Sequence, residues 1–396
     1  MTVSNAWRTG ALGDLVSFKT GKLDSNAAVL DGGYPFFTCS QETLRTDTFS
    51  FDTECVLLAR NNANGIFPLK YFHGKFDAYQ RTYIVRPRST DELSTKFLYY
   101  ALCPKLSEFR SFSTGSATKF LTLTIPNATE IQVPALPIQH RIASILSSYD
   151  DLIENSQRRI KILEAMARGL YREWFVHFRF PGHENHPLVA SALGEIPQGW
   201  EVRLVKDVAA VTYGFPFQSK KFNTNQIGSP VIRIRDILDA STTTFTDEVA
   251  AAKYHIKTGD ILVGMDGDFH MCIWSSGHAL QNQRVAKFES NSAIGNHHLF
   301  LALELPIQTW NKSIVGTTVA HLGDMHIKAI QIIWPTEKIL DKASRILEPM
   351  AEQIITLKRQ IQNLRRTRDL LLPRLLSGQI DIGEIYSWQS TKTLAN

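Results

Sequence analysis

Residues 135–177 read ALPIQHRIASILSSYDDLIENSQRRIKILEAMARGLYREWFVH. Counted in sevens, one column of this stretch is Leu146, Ile153, Ile160 and Ala167. A second column, three residues on, is Tyr149, Ser156, Leu163 and Leu170. Apolar residues at the a and d places of a heptad, with Arg, Lys, Glu and Gln between them, predict a long helix that packs on another helix. The partner lies in the same chain. Residues 335–380 read PTEKILDKASRILEPMAEQIITLKRQIQNLRRTRDLLLPRLLSGQI, with columns Leu347, Ile354, Ile361, Arg368, Leu375 and Met350, Leu357, Leu364, Leu371. The two stretches superpose at an offset of 201, with Pro335 on Pro134, Ile354 on Ile153 and Leu371 on Leu170. An internal repeat of this length decides the architecture ahead of any local signal.

Outward from the two rods lie two heads. Trp7 with Leu12-Gly13-Asp14-Leu15 opens the first, and Trp200 with Leu204-Val205-Lys206-Asp207-Val208 opens the second, at an offset of 193. The expected layout is a head over 1–133, a rod over 134–178 and a linker over 179–199. A second head over 200–334, a second rod over 335–378 and a tail over 379–396 complete it. Short Val-, Ile-, Tyr- and Phe-rich runs read as strands: 34–37, 55–59 and 81–85 in the first head, then 231–234, 259–263, 285–288 and 298–302 in the second. Residues 96–109 read as a short helix interrupted at Pro104. Pro349 and Pro373 are expected to kink or shorten the second rod, and Gly378 to end it. A rod of about 40 residues is ~60 Å long at 1.5 Å per residue. Two such rods make a ruler, whether they run parallel or antiparallel. DNA half-sites, which recur at fixed helical spacing, suit a ruler; so do two protein partners held apart, and periodicity alone does not choose.

Composition sets outer limits. The chain has 396 residues, enough for several cores, with 43% hydrophobic and 20% charged residues. A net charge of +5 permits a nucleic-acid partner without requiring one. Cys39, Cys55, Cys103 and Cys272 form no C-x-x-C pair and read as thiols of a reducing compartment. No signal peptide and no apolar run of membrane-spanning length is visible, so the cytoplasm and no membrane partner are expected.

The layout resembles the specificity (S) subunit of type I restriction-modification systems over essentially its whole length. The residues that carry the resemblance are 137–146 with Asp150-Asp151-Leu152-Ile153, Gly194 to Trp200 before the second head, Gly259-Asp260-Ile261-Leu262-Val263 within it, and 371–378 at its close. The resemblance implies an α+β chain: two mixed α/β target recognition domains separated by two long helices that form an antiparallel coiled coil, related by a pseudo-twofold. It implies double-stranded DNA as ligand, each head reading one half of a bipartite asymmetric site. Two methyltransferase (M) subunits would bind S-adenosylmethionine, and restriction (R) subunits would bring ATP and Mg2+. This chain would carry no cofactor and no catalysis. One local departure is Glu337-Lys338-Ile339 where the first rod has Leu136-Pro137-Ile138.

The residues agree with a non-catalytic reading. There is no G-x-x-x-x-G-K-[ST] loop, no Asn-Pro-Pro-Tyr-type methyltransferase motif and no glycine-rich strand–turn–helix. His177, His183 and His186 cluster in the linker without further ligands of matched geometry, so no metal is expected. Arg60, Asn61 and Asn62 are residue types that pair bidentately with guanine and adenine. Asp266 and Asp268 occupy the same place in the second head, where a carboxylate would accept from a cytosine amino group. Tyr79-Gln80-Arg81 and Asn282-Gln283-Arg284 recur in both heads, and recurrence favours phosphate positioning over base reading. Lys22, Lys220 and Lys221 are phosphate candidates; Lys119 and Thr317-Thr318, in the matched stretches 115–121 and 316–322, and His298 are further DNA-contact candidates. Arg368 stands at an a place where its repeat mate is Ala167, and a buried arginine there needs a carboxylate partner.

Overall fold

The computed structural model describes residues 7–62, 65–115, 118–291, 295–313 and 320–380. The chain forms two compact units, one of Met1–Leu152 with Leu364–Asn396 and the other of Ile153–Asn363. Four helices organise them: α1 (Thr95–Leu102), α2 (Leu136–Tyr171), α3 (Asn296–Ser313) and α4 (Glu337–Leu376). Each unit is therefore a head together with the start of one rod and the end of the other.

Unit 1 is built on a six-stranded sheet, in the order 16–20, 82–87, 51–59, 69–78, 34–37, 44–46. The second half of its central strand Phe51–Ala59, residues 55–59, reads as a continuous apolar run because both faces are covered there. Val56 and Leu58 point into a core shared with Phe97 and Leu98 of α1, while Cys55 and Leu57 point the other way, onto Phe37, Phe76 and Ile84. The Ser94 side chain accepts from the Phe97 N–H and starts α1. Arg8–Ala11 pairs antiparallel with Glu130–Val133 and delivers the chain to α2. The rod ends belong to this core: Ile142, Ala143 and Leu146 of α2 and Leu375 of α4 are buried in it.

Unit 2 keeps this frame. Glu201–Leu204 pairs with Gln331–Trp334 and delivers the chain to α4. Two four-stranded sheets replace the single larger one, in the orders 209–213, 285–290, 261–264, 271–273 and 245–246, 229–232, 279–281, 255–256. Ala167 of α2 packs with Ile339, Ala343 and Leu347 of α4 in one cluster.

In unit 1 Asp150 of α2 meets Arg368 of α4; in unit 2 Glu164 meets Lys358 at 3.7 Å. Within unit 2, Ala167 lies further along α2 than Glu164 and packs with Ile339, Ala343 and Leu347, which lie earlier in α4 than Lys358, so the two helix segments of that unit run antiparallel. The heptad columns lie on the buried side of the two rods. Leu146, Ile153, Ile160, Leu347, Ile354, Leu357 and Ile361 are buried, and Tyr149, Leu163, Leu170, Met350, Leu364 and Leu371 are partly buried.

Two expectations are corrected. First, α4 runs unbroken through Pro349 and Pro373. Each proline lies on the exposed side and forfeits one backbone bond, while buried neighbours such as Leu347, Ala351 and Leu375 hold the helix on its other side. The helix ends in a Schellman closure on Gly378 (φ +71°): Gln379 N–H donates to Arg374 O and Gly378 N–H to Leu375 O. Second, 298–302 is not a strand but the first turns of α3. A short apolar run buried on several sides lacks the period that separates helix from strand. The linker stretch 179–199 carries structure of its own: Leu188–Ser191 pairs with Gly194–Pro197, and Phe180 and Ile196 are buried beside Trp200.

Candidate nucleic-acid interface

In unit 1 four distant segments converge at the end of the sheet. Residues 79–82 form a tight turn, with the Thr82 N–H donating to Tyr79 O at 2.8 Å. The loop at 21–24 lies against it: Gly21 N–H donates to Thr82 O and Gln80 N–H to Leu23 O. A Cβ on Gly21 would stand 2.1 Å from Ala78 O, so only glycine lets the loop approach this closely. The Gln80 side chain donates to Asp24. Arg60 N–H donates to Arg81 O, and Leu121 N–H to Arg60 O, so the turn, the end of the central strand and the 119–121 segment form one ladder. Asn61–Asn62 pairs with Lys119–Phe120.

Cations and aromatics meet on this surface. The Arg60 guanidinium lies 5.3 Å from the centre of the Tyr83 ring, and exposed Lys22 has its Nζ 5.9 Å from that of Phe51. The side chains of Arg110 and Lys119 both flank Gly65. Among the described residues Lys22, Arg60, Arg81, Arg110 and Lys119 make no ion pair. Phe112 and Phe120 are exposed beside them. The Cys39 thiol donates to Asn61 Oδ1 at 2.9 Å and orients that amide.

Unit 2 repeats four of these backbone bonds. Val285 N–H donates to Asn282 O, Gly214 N–H to Val285 O, Met265 N–H to Arg284 O and Leu322 N–H to Met265 O. A Cβ on Gly214 would stand 2.0 Å from Asn282 O. The side chains on this shared frame differ. Buried Met265 replaces Arg60, Asp266 replaces Asn61 and His321 replaces Phe120. Asp266 accepts from His321 Nδ1 at 2.6 Å and faces Arg284 Nε at 3.5 Å. It lines an open cleft with Arg233, Arg235, Asp268, His270, Asn282 and Arg284. Asp268 is exposed, as are Gln283 and, on a short 3-10 turn, Lys220 and Lys221.

His298 is not at a surface. It is 1% exposed and sits among Phe175 (4.5 Å between ring centres), Tyr171 and Trp334 (each 5.5 Å). Neither of its ring nitrogens has a hydrogen-bond partner among the described residues. Burial first, and then neighbouring His297, pushes its pKa down to about 3. It is a neutral core residue of unit 2, standing where the repeat has Phe97. Thr317 and Thr318 lie outside the described residues, as does the side chain of Asn62. The glycine contacts, Arg110, His321 and the Arg233–Arg235 pair escaped the sequence reading. Gly21 and Gly214 share the offset of Trp7 and Trp200, a signal that was available; nothing marked Arg110. Among the described residues no group of three or more His, Cys, Asp or Glu is placed to hold a metal, and no helix is long and apolar enough to cross a membrane.

Residues 5–165 and 197–366, one match over each half of the repeat, fit the family described as type I restriction modification DNA specificity domain. The chain belongs to that family. This DNA specificity chain is 28% identical over 314 residues to the type I restriction enzyme MjaIX specificity subunit of Methanocaldococcus jannaschii, covering 74% of this chain and 71% of the relative. It is 26% identical to the EcoDI specificity subunit of Escherichia coli over 94% of this chain and 88% of that one. Its fold is that of the type I restriction-modification S subunit from M. genitalium, with a TM-score of 0.65 at 17% identity over 94% of this chain and 96% of the other. The relatives are named as specificity subunits, and sequence specificity rather than catalysis is the function of the chain.

Proposed function

We propose that the two converged loop surfaces are the DNA-reading sites, one for each half of a split, asymmetric sequence. One observation carries this reading: a backbone frame that shares four corresponding hydrogen bonds in the two units displays different side chains at corresponding places. What recurs, namely the glycine contact and the Gln-Arg turn, suits sequence-independent phosphate positioning. What differs, Asn61 with Arg60 against Asp266 with His321, suits base edges, because amide, guanidinium, carboxylate and imidazole groups favour different bases. The antiparallel rods set the spacing and offer their exposed faces to methyltransferase subunits. Those partners bring S-adenosylmethionine and place the methyl group; restriction subunits add ATP- and Mg2+-dependent translocation and cleavage.

The test is methylation of random-sequence DNA by the chain together with its methyltransferase partner and S-adenosylmethionine. The expected product is a motif of two unlike specified blocks around a fixed unspecified spacer. Methylation at a single undivided block, or with no motif, would overturn the reading. Binding to that motif weakens steeply with added salt, since the unpaired cations of unit 1 contact phosphates.

A further inference from the structure

The two halves of the repeat differ at three places that touch one another. In unit 1 the Tyr100 hydroxyl of α1 donates to Asp150 Oδ2 of α2 at 2.6 Å, and Arg368 of α4 donates to Asp150 Oδ1. The repeat mates of Tyr100, Asp150 and Arg368 are Leu301, Ala351 and Ala167. All three mates are buried, at 5%, 5% and 1% exposure, in unit 2. A polar triad in one unit has thus been replaced as a set by an apolar one in the other. Beside it the asymmetry is reversed: Arg168 of α2 pairs with Glu304 of α3 at 2.9 Å, and its mate is Asp369.

We infer that the Tyr100–Asp150–Arg368 triad is a pairing code for the rods, which accepts α4 as the partner of α2 and rejects a second copy of either helix. The repeat makes that rejection necessary, because each rod resembles the partner of the other closely enough to pair with itself. Two α2 helices paired on the same frame would set Asp150 against Ala167, and two α4 helices would set Arg368 against Ala351. The first arrangement strands the half-buried Asp150 carboxylate opposite a methyl group, and the second leaves Arg368 with only its exposed neighbour Asp369, 2.8 Å away. An α4 end in unit 2 would also bring Asp369 to the place of Arg168, against Glu304. Only α2 with α4 matches every group. Polar groups set into a largely apolar seam are a known means of fixing partner and register in paired helices.

The experiment uses the full chain. Asp150→Ala, Arg368→Ala and the triple variant Tyr100→Leu/Asp150→Ala/Arg368→Ala are compared with wild type. Urea unfolding gives stability, and light scattering on size-exclusion chromatography gives oligomeric state after refolding from denaturant. Each single variant lowers the urea midpoint. The triple variant recovers it, because Leu301 and Ala167 share one buried cluster in unit 2 and Ala351 is buried as well, yet it refolds to a mixture that contains self-associated chains absent from wild type. A triple variant that refolds to the same species as wild type would overturn the inference. A triple variant as unstable as the singles would make the triad a stabilising contact only, and would overturn it equally. Asp150→Arg/Arg368→Asp, which reverses the pair, retains the wild-type species if pairing is coded by the two charges.

Discussion

Replacing His298 by Phe, the residue of the repeat mate Phe97, tests the unit 2 core through pH. His298 is 1% exposed, its ring nitrogens are unpartnered, and burial holds its pKa at about 3. In the unfolded chain a histidine titrates near 6.5. The unfolded state therefore binds one more proton than the folded state between those two values, and stability falls as pH drops through 6.5. At pH 5 this single group costs about 2 kcal/mol that it does not cost at pH 7.5, from ~1.4 kcal/mol per unit of pH. His297, whose pKa burial, then Arg168 and Lys358, push down to about 4, adds a loss of the same sign. His298→Phe removes the first loss and keeps the second. At pH 7.5 two effects oppose each other: removing unpartnered polar atoms stabilises by ~1–3 kcal/mol, and overfilling the site costs a similar amount. The informative quantity is thus the difference between pH 7.5 and pH 5, measured by urea unfolding followed through tryptophan fluorescence. Trp334 lies 5.5 Å from His298 between ring centres and reports on its surroundings. Wild type and variant losing the same stability between the two pH values would refute the reasoning.

Gly21→Ala drives a methyl group onto Ala78 O and is expected to weaken binding only through the half-site read by unit 1. Gly214→Ala does the same for unit 2, as measured on DNA altered in one half at a time. Asp266→Asn removes the carboxylate that orients His321 and Arg284. Sequencing of methylated sites is expected to show a changed base preference in one half of the motif and none in the other. Leu146→Ala empties a fully buried place in the unit 1 core and lowers stability by about 2–5 kcal/mol in urea unfolding, with the unit 2 core unaffected.

The rods were legible because a heptad over 40 residues, repeated at a fixed offset, is a long-range signal that single residues cannot mask. Pro349 and Pro373 were misread because the local cost of proline was weighed without the packing that offsets it. The run at 298–302 was misread for want of period, although its mate, 97–101, lies in the stretch read as helical. The expectation that Arg368 needs a carboxylate found its answer in Asp150, 218 positions away, which no local pattern could have named. The convergence of 21–24, 60–62, 79–82 and 119–121 was not legible, since it depends on strand register and on two backbone approaches that only glycine permits. Residue type pointed to the candidate contacts; it did not separate His298, sealed among aromatic rings, from His321, open beside Asp266.

The most direct test of the account is exchange of one head. Residues 1–133 are replaced by the corresponding head of another chain of the family, the rods are kept, and the sites methylated by the resulting complex are sequenced. The account predicts a motif whose one half is new, whose other half is that of the parent chain, and whose spacer length is unchanged. A motif altered in both halves, or altered in neither, would contradict it.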